Sequence, residues 1–389
     1  MNQARAAGLD LHREVISDAA AFAALAKHWN RLYHAAPRAT PFQAHSWLEA
    51  WWQAYGDSGR LRVVVVWSQG RLVAAAPLFL VNRGPVRVLL PLGGDISDFV
   101  DILVEERDSG GETSTFLASL LAGLLSQRDW DVLDLPEVRS QAAAELLTEQ
   151  WPGDVHRMEA STCMELPVTD FQQLLLTLPT KRAREVRRVL RRSAELDLVV
   201  EDVPPAEIAG AVRELLRLHA MQWEGRGGNP EHQRPRYAQH LSHALTQMVQ
   251  QGQAAVVRYE LEGEVLAGQI VLLGHDLIGG YLLGVAPELY ARMDFSTYVV
   301  RADIERALSI NCSTYNMLRG QESYKERWQA APAVNNRLLL TRPFSPFGPV
   351  FTLAVRARAR GLMIAKEKAP WLRQVKDSYL QVKANRRRR

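Results

Sequence analysis

The stretch Ala254-Ala-Val-Val-Arg-Tyr-Glu-Leu-Glu-Gly-Glu-Val-Leu-Ala-Gly-Gln-Ile-Val-Leu-Leu273 reads as a β-hairpin. Two runs rich in β-branched and apolar residues flank a tight polar turn at Leu261-Glu262-Gly263, the pattern that a short hairpin loop requires. Its second strand, Val265 to Leu273, is apolar apart from Gln269, so it is expected to run through the middle of a sheet. An earlier stretch, Leu61 to Val81, repeats this plan around Ser68-Gln69-Gly70, with Leu72 to Leu80 almost wholly apolar. The surroundings repeat as well. Helical pattern precedes each hairpin (Ala20 to Ala35 and His45 to Tyr55; Ala206 to Trp223 and Arg236 to Gln251), and a strand, a loop, a helix and a strand follow it (Val86 to Leu90, Thr115 to Leu125, Asp131 to Leu135; Ile278 to Gly284, Ser296 to Leu308, Ser313 to Leu318). The unit α-α-β-β-β-α-β thus occurs twice, with its joint near Glu159 to Pro167. The expected fold class is a duplicated α/β (α+β) architecture with mixed sheets, divided as residues 1–160, 161–342 and a tail at 343–389.

A chain of 389 residues, 47% apolar, 23% charged and 8% aromatic, has the length for two cores and the composition of a packed protein. Two cysteines, Cys163 and Cys312, permit at most one bridge, which suits a reducing compartment. Met1 to Arg13 lacks the apolar core of about 7–15 residues that a secretory signal needs, and the longest apolar runs, such as Leu72 to Val81, are about half a membrane span. The expected location is the cytoplasm, including the inner face of the membrane.

Charge is uneven. Residues 351–389 carry twelve Lys and Arg against Glu367 and Asp377, a net +10 in a chain whose total is +4. This basic tail, with Trp371 and four terminal arginines, is a candidate peripheral membrane contact, weak by itself. A second basic segment, Leu178 to Glu195, sets Lys181, Arg182, Arg184, Arg187, Arg188, Arg191 and Arg192 around an apolar stripe of Ala183, Val186 and Leu190. It is either a solvated helix face or a capture surface for a polyanion such as a nucleotide-linked sugar, a lipid head or a tRNA. Neither segment interleaves aromatics as a single-strand reader does, so sequence-specific nucleic-acid binding is not expected.

Several chemistries lack their motifs: there is no Gly-rich dinucleotide loop, no P-loop, no nucleophile elbow and no paired Cys cluster. His240 and His243 form a lone His-x-x-His, read as a surface feature, and no metal is expected. The most informative segment is Tyr315-Asn-Met-Leu-Arg-Gly-Gln-Glu-Ser-Tyr-Lys-Glu-Arg-Trp328. Here a strand ends, Gly320 frees the turn, and Arg319, Glu322, Tyr324, Lys325 and Trp328 gather at the carboxyl end of the strand, where α/β proteins bind ligands. They are candidates for binding substrate, with Lys325 for catalysis. The alternative is that Tyr324 and Trp328 pack the helix while Arg319 and Lys325 are solvated.

That segment resembles the Tyr-Asp-Phe-Leu-Arg-Gly, acidic, Tyr-Lys, Trp stretch of the CelD-type acetyltransferase-like family of the GNAT superfamily. Further features agree in order across roughly residues 20–340: Thr40-Pro-Phe-Gln43 before Trp47-Leu48 and Trp51-Trp52, Gly93 to Asp101, the basic helix, and Leu216-Arg-Leu-His-Ala-Met-Gln-Trp223. The resemblance implies a tandem GNAT fold, also seen in Fem-type aminoacyl transferases. It further implies acyl transfer from acetyl-CoA or another acyl-CoA to a saccharide, lipid-linked or other small-molecule acceptor in cell-envelope or exopolysaccharide synthesis. Two departures stand out. Asn316 replaces the usual Asp, and the loop Glu288 to Thr297, where a GNAT binds coenzyme A pyrophosphate, contains no glycine.

Under this reading the donor lies between the strands Ile278 to Gly284 and Ser313 to Leu318, with Tyr281, Arg292, Ser296 and Thr297 as its candidate contacts. Direct attack by the acceptor makes no covalent enzyme adduct, so no essential cysteine is expected. The general base is sought among Asp98, Asp101 and His219; turn capping and core packing are the alternatives. Trp223 and Gln269 are candidate substrate contacts, Gln269 being otherwise a hydrogen-bonded core amide. Two further readings remain: a Fem-like transferase using aminoacyl-tRNA, suggested by the glycine-free loop and the Arg-rich helix, and a non-catalytic module that binds an anionic polymer or membrane.

Overall fold

The computed structural model describes residues 10–107, 111–225, 227–320 and 323–368. Glu322 and Trp371 lie outside them. The described strands are β1 (Leu11–Ile16), β2 (Arg60–Ser68), β3 (Arg71–Arg83), β4 (Val86–Pro91), β5 (Leu103–Val104), β6 (Val132–Val138), β7 (Val155–Pro167), β8 (Val199–Asp202), β9 (Ala254–Leu261), β10 (Glu264–Leu273), β11 (Leu277–Val285), β12 (Thr314–Arg319) and β13 (Ala331–Thr341). They form one mixed sheet in the order β1-β2-β3-β4-β6-β13-β7-β12-β11-β10-β9-β8, with β5 on β3.

The duplication is explicit in the pairing. Both hairpins close through two-residue loops whose residues all have positive φ, Gln69 (49°) and Gly70 (73°), Glu262 (58°) and Gly263 (82°), the turn geometry that matches strand twist. In each unit an antiparallel third strand is then joined in parallel by a strand returning from a crossover helix. These are β4 with β6 after helix Glu112–Ser126, and β11 with β12 after helix Phe295–Ser309.

The two units exchange their last strands. β7 ends the first unit yet pairs with β12 of the second, and β13 crosses back to pair with both β7 and β6. The joint expected at Glu159 to Pro167 therefore falls inside a single continuous strand. On one side of the sheet, helices His45–Tyr55 and Pro235–Gln250 pack together from opposite units. His240 lies fully buried between them, edge-on to Trp47 at 4.5 Å. This corrects the reading of His240 and His243 as a surface pair: the apolar face of the helix runs through His240, and burial pushes its pKa down to about 3.

The two wedges differ. In the first, β4 and β6 share only Val88↔Val132 and Leu89↔Leu133. The chain itself then fills the gap, with β5 on Ala74 and Ala75 and Val100 N–H donating to Glu137 O at 3.1 Å. In the second, β11 and β12 pair at Leu277↔Thr314, Ile278↔Tyr315 and Gly279↔Asn316 and no further. That wedge is open.

Candidate functional site

The opening is built by two local irregularities. On β11 the register against β10 shifts between Ile270 and Val271, which leaves Tyr281 as an extra residue, a bulge that bends the strand. On β12 Leu318 adopts φ 55°, its N–H donating to Asn316 Oδ1 at 2.7 Å. The register against β7 also shifts between Asn316 and Arg319. The Leu318 side chain fills the base of the wedge, where a Cβ on Gly279 would meet it at 3.1 Å. Asn316, which replaces the Asp of the resembled motif, is thus a cap for this bulge and also donates to Glu165 Oε1 at 2.7 Å.

Above the bulges lies a cleft of 890 Å³. Its walls are Gly280 to Leu283 of β11, Met317 to Gly320 at the end of β12, His219, Gln222 and Trp223 from helix Ile208–Gln222, and His232 and Tyr237 just beyond it. The first unit contributes Asp95, Ile96 and Asp98. Eight expected residues, Asp98, His219, Trp223, Tyr281, Ser296, Arg319, Tyr324 and Lys325, therefore line one cleft.

His219 belongs to a pair. Its Nδ1 is 2.8 Å from Leu283 O and its Nε2 is 3.0 Å from His232 Nδ1. A carbonyl only accepts, so Nδ1 of His219 carries the proton and its Nε2 accepts from His232 Nδ1–H. The remaining lone pair of the pair, on His232 Nε2, accepts from Asn229 Nδ2 at 3.4 Å. Burial lowers both pKa values, His232 to about 4 with His219 adding to the shift, so both rings are neutral at pH 7. His232 stacks on Tyr237 at 4.7 Å, and Tyr237 OH donates to Tyr281 OH, which donates to Ile96 O at 2.8 Å. No sequence signal marked His232 or Tyr237, which sit in a loop and on a helix remote from the motif, and Asp95 lies within the Gly93 to Asp101 stretch without having been singled out.

Other expected residues have structural duties. Arg319 is a clamp between units: Nε to Asp98 Oδ1 at 2.5 Å, Nη2 to Asp95 O at 2.8 Å and Ser97 O at 3.0 Å, and Nη1 to Glu137 Oε1 at 3.5 Å. Asp98 reaches the cleft as expected, but it is committed to this ion pair. Lys325, the catalytic candidate, lines the cleft but is buried and donates to the carbonyls of Leu318, Arg319 and Gly320 at 3.2, 3.2 and 3.4 Å, so the alternative of a solvated lysine is corrected to one that ties down the strand end. Asp101 does not enter the cleft. It accepts from Ala143 N, Ala144 N and Ile102 N at 2.9, 2.7 and 2.8 Å, capping helix Ala143–Glu149 while burial raises its pKa to about 7. Gln269 is the core amide, held between Tyr259 OH and Asp303 Oδ2, each at 2.8 Å. Trp328 is buried against Phe171 with Arg182 over its ring and does not line the cleft.

The donor loop also departs from expectation. Asp294 caps helix Phe295–Ser309 by accepting from Ser296 Oγ at 2.6 Å, Thr297 N at 3.3 Å and Thr297 Oγ1 at 2.9 Å. Hydroxyls and the helix amide expected to meet a pyrophosphate are already bound to a carboxylate, and a second anion there would be repelled. Arg292 faces away, paired to Glu262 at 2.6 Å. The residues present do not fit coenzyme A pyrophosphate at this helix end.

Fold and cleft define an acyltransferase-type architecture. A family model described as an acetyltransferase (GNAT) domain matches residues 180–326, the segment that contains the open wedge. Among solved structures, that of FemX aligns with a TM-score of 0.60 at 11% identity, covering 88% of this chain and 99% of that one. A conserved protein of unknown function from Bacteroides thetaiotaomicron aligns at 0.54 and 14% identity (84% and 100% covered). The C-terminal domain of a putative lysylphosphatidylglycerol synthetase from Agrobacterium fabrum aligns at 0.50 and 8% identity (86% and 96% covered). No curated protein matches the chain. At these identities the likeness is one of fold: a tandem GNAT-like, mixed α/β protein.

Proposed function

We propose that this chain is an acyltransferase that holds an activated acyl ester or thioester in the β11/β12 wedge and transfers the acyl group to an amine or hydroxyl. The observation that carries this reading is the wedge itself, open beyond Gly279 and Asn316 with a neutral histidine pair on its wall. The acceptor X–H displaces the long Asn229 contact and gives its proton to His232 Nε2 while X bonds to the acyl carbon. His232 Nδ1–H passes to His219 Nε2, and the resulting cation faces Leu283 O through Nδ1–H. The amide of Tyr281, the extra residue at the bulge, is the donor assigned to the oxyanion. Collapse of the tetrahedral species breaks the bond to the leaving group, which takes the proton back from His219 through His232.

Two donors are compatible with this chemistry. Acyl-CoA is the donor that the family description suggests, with its diphosphate placed elsewhere than the helix end that Asp294 closes. The Fem-like reading, an aminoacyl-tRNA, is favoured by that same closure and by helix Thr180–Ser193. Its Arg182 reaches Thr297 Oγ1 at 3.4 Å, beside the cleft, and its other arginines are on the surface. We take the acceptor to be a cell-envelope or exopolysaccharide precursor on the resemblance alone.

Thermal shift and equilibrium binding with acetyl-CoA and with aminoacyl-tRNA test the donor. A shift with acetyl-CoA supports the thioester. Salt-sensitive tRNA binding, lost when Arg184, Arg187, Arg188 and Arg191 become Ala, supports the Fem-like donor. If neither binds, the transferase reading falls and a non-catalytic module takes its place.

A further inference from the structure

Helix Gly348–Lys368 has two apolar faces, and the body of the protein uses one. Phe351, Thr352 and Val355 turn inward, Phe351 and Val355 against the main core. At 3.6 residues per turn the opposite side carries Val350, Leu353, Ala354 and Ala357, all exposed, with Val350 at 65% and Leu353 at 67% of full exposure. Arg358 borders this stripe on one flank and Arg356 and Arg360 on the other. The turn leading into the helix adds Phe347, 42% exposed, and Phe344, fully exposed at 104%. Phe344 also has φ 61°, a conformation that is costly for a bulky side chain, and within the protein its ring gains nothing in return.

A helix that buries one apolar stripe needs no second one. Isolated exposed leucines are ordinary, but four small and large apolar residues in register on one face, continued by two exposed phenylalanines and edged by arginines on both sides, form a directional surface. Its occupant can be read from the charge. The flanking arginines and the net +10 of residues 351–389 would repel a second copy of the same helix and attract a negative plane. An apolar strip between two rows of cations fits the boundary between acyl chains and anionic headgroups.

We propose that the outer face of helix Gly348–Lys368 over Val350 to Arg360, together with Phe344 and Phe347, is a docking surface for anionic lipid bilayers, and that the protein works as a peripheral membrane protein. The helix lies in the interface and does not cross it; no helix among the described residues is long and apolar enough to span. Two contributions act together. Val350, Leu353 and the two phenylalanines enter the acyl boundary, and the arginines are drawn to the anionic surface. This inference is independent of the donor and of the transferase reading, since none of these residues lines the cleft.

Co-sedimentation of the full chain with phosphatidylcholine vesicles, and with vesicles of equal parts phosphatidylcholine and phosphatidylglycerol, tests it at low and high salt. Binding is expected to the anionic vesicles, to weaken with salt, and to fall about tenfold or more in V350D/L353D and in F344S/F347S, with unchanged thermal unfolding because the substituted side chains face solvent. R356Q/R358Q/R360Q is expected to lose the preference for anionic lipid. Sedimentation velocity distinguishes the rival occupant. Should the wild type be a dimer that V350D/L353D dissociates, with no vesicle binding by either, the face is a contact between copies and the proposal is overturned. Binding to anionic vesicles that V350D/L353D leaves unchanged would overturn it equally, by placing the contact in charge alone.

Discussion

Arg319→Ala separates a clamp from a substrate contact. Arg319 ties the end of β12 to the first unit through Asp98, two backbone carbonyls and Glu137, and the two charged side chains are 27% and 12% exposed. Removing one partner of a largely buried pair leaves the other charged and short of partners, at about 3–5 kcal/mol when burial is complete. Residual exposure brings this to about 2–4 kcal/mol. Unfolding entropy scales with length at about 2 cal/mol/K per residue, so the midpoint of this chain should fall by roughly 3–5 °C. Asp98→Ala should cost a similar amount, and the double variant Asp98→Ala/Arg319→Met clearly less than the sum of the single changes, because neither charge is then stranded. Urea unfolding followed by tryptophan fluorescence reads these differences. The reasoning is refuted if Arg319→Ala unfolds within 1 kcal/mol of the wild type, or if the single costs add; Arg319 would then be a free cation waiting for a ligand.

Lys325→Met should destabilise by about 1–3 kcal/mol, because three carbonyls at the end of β12 lose their common donor, whereas a solvated lysine would cost almost nothing; urea midpoints decide. Gly284→Ala places a Cβ 2.5 Å from Leu215 O and 2.6 Å from His219 N, so helix Ile208–Gln222 must shift. The expected loss is about 1–3 kcal/mol, with a changed His219 tautomer signal in ¹⁵N spectra. For pH, His240 is neutral in the fold with its pKa down at about 3. The unfolded chain therefore binds the extra proton below the ordinary histidine value near 6.5, and this stability is present above that pH and lost as pH falls toward 3. Asp303, raised to about 7 by burial, acts in the opposite sense: the fold holds a proton that the unfolded chain releases above about 4, and its contribution is lost as pH rises through 7. His240→Phe isolates the histidine. Relative to this variant, wild type should lose roughly 1.4 kcal/mol per pH unit between pH 6 and 4, and parallel stability curves would show that His240 does not titrate as described.

The repeat was legible because hairpins and amphipathic helices are local. Gly70 and Gly263 set the turns, and the apolar runs after them mark central strands. The exchange was not legible. β7 and β13 carry mixed patterns such as His156-Arg157-Met158-Glu159 and Asn335-Asn336-Arg337, half exposed along one face, and pairing across more than 150 residues leaves no local trace. The site divided in the same way. Tyr315 to Trp328 announced a strand end, yet sequence could not tell that Trp328 packs away from the cleft, or that Arg319 and Lys325, at its edge, are tied up by Asp98 and by backbone carbonyls. His219 was visible as a polar interruption in an apolar stripe. His232 follows a loop whose path over Trp223 depends on Gly228, where a Cβ would lie 2.9 Å from Trp223 Cβ, and nothing in its neighbours marks it.

The two units have diverged by a trade in which one wedge is spent on the other. After β4 the first unit sends residues 92–104 across its own opening, where Val100 bonds to Glu137 O and β5 lies along β3, so no donor can enter there. That same segment presents Asp95, Ile96 and Asp98 to the second cleft: Ile96 O receives the Tyr281 hydroxyl, and Asp98 receives Arg319. Plugging and wall-building are thus one structural event. Strand exchange reinforces it, because β12 is flanked by β7 from the first unit and β6 by β13 from the second. A site assembled this way depends on the relative placement of both units to within a hydrogen bond. The buried ion pair at Arg319 is costly to form and is placed where it fixes that register, which is the use to which such a pair is best suited.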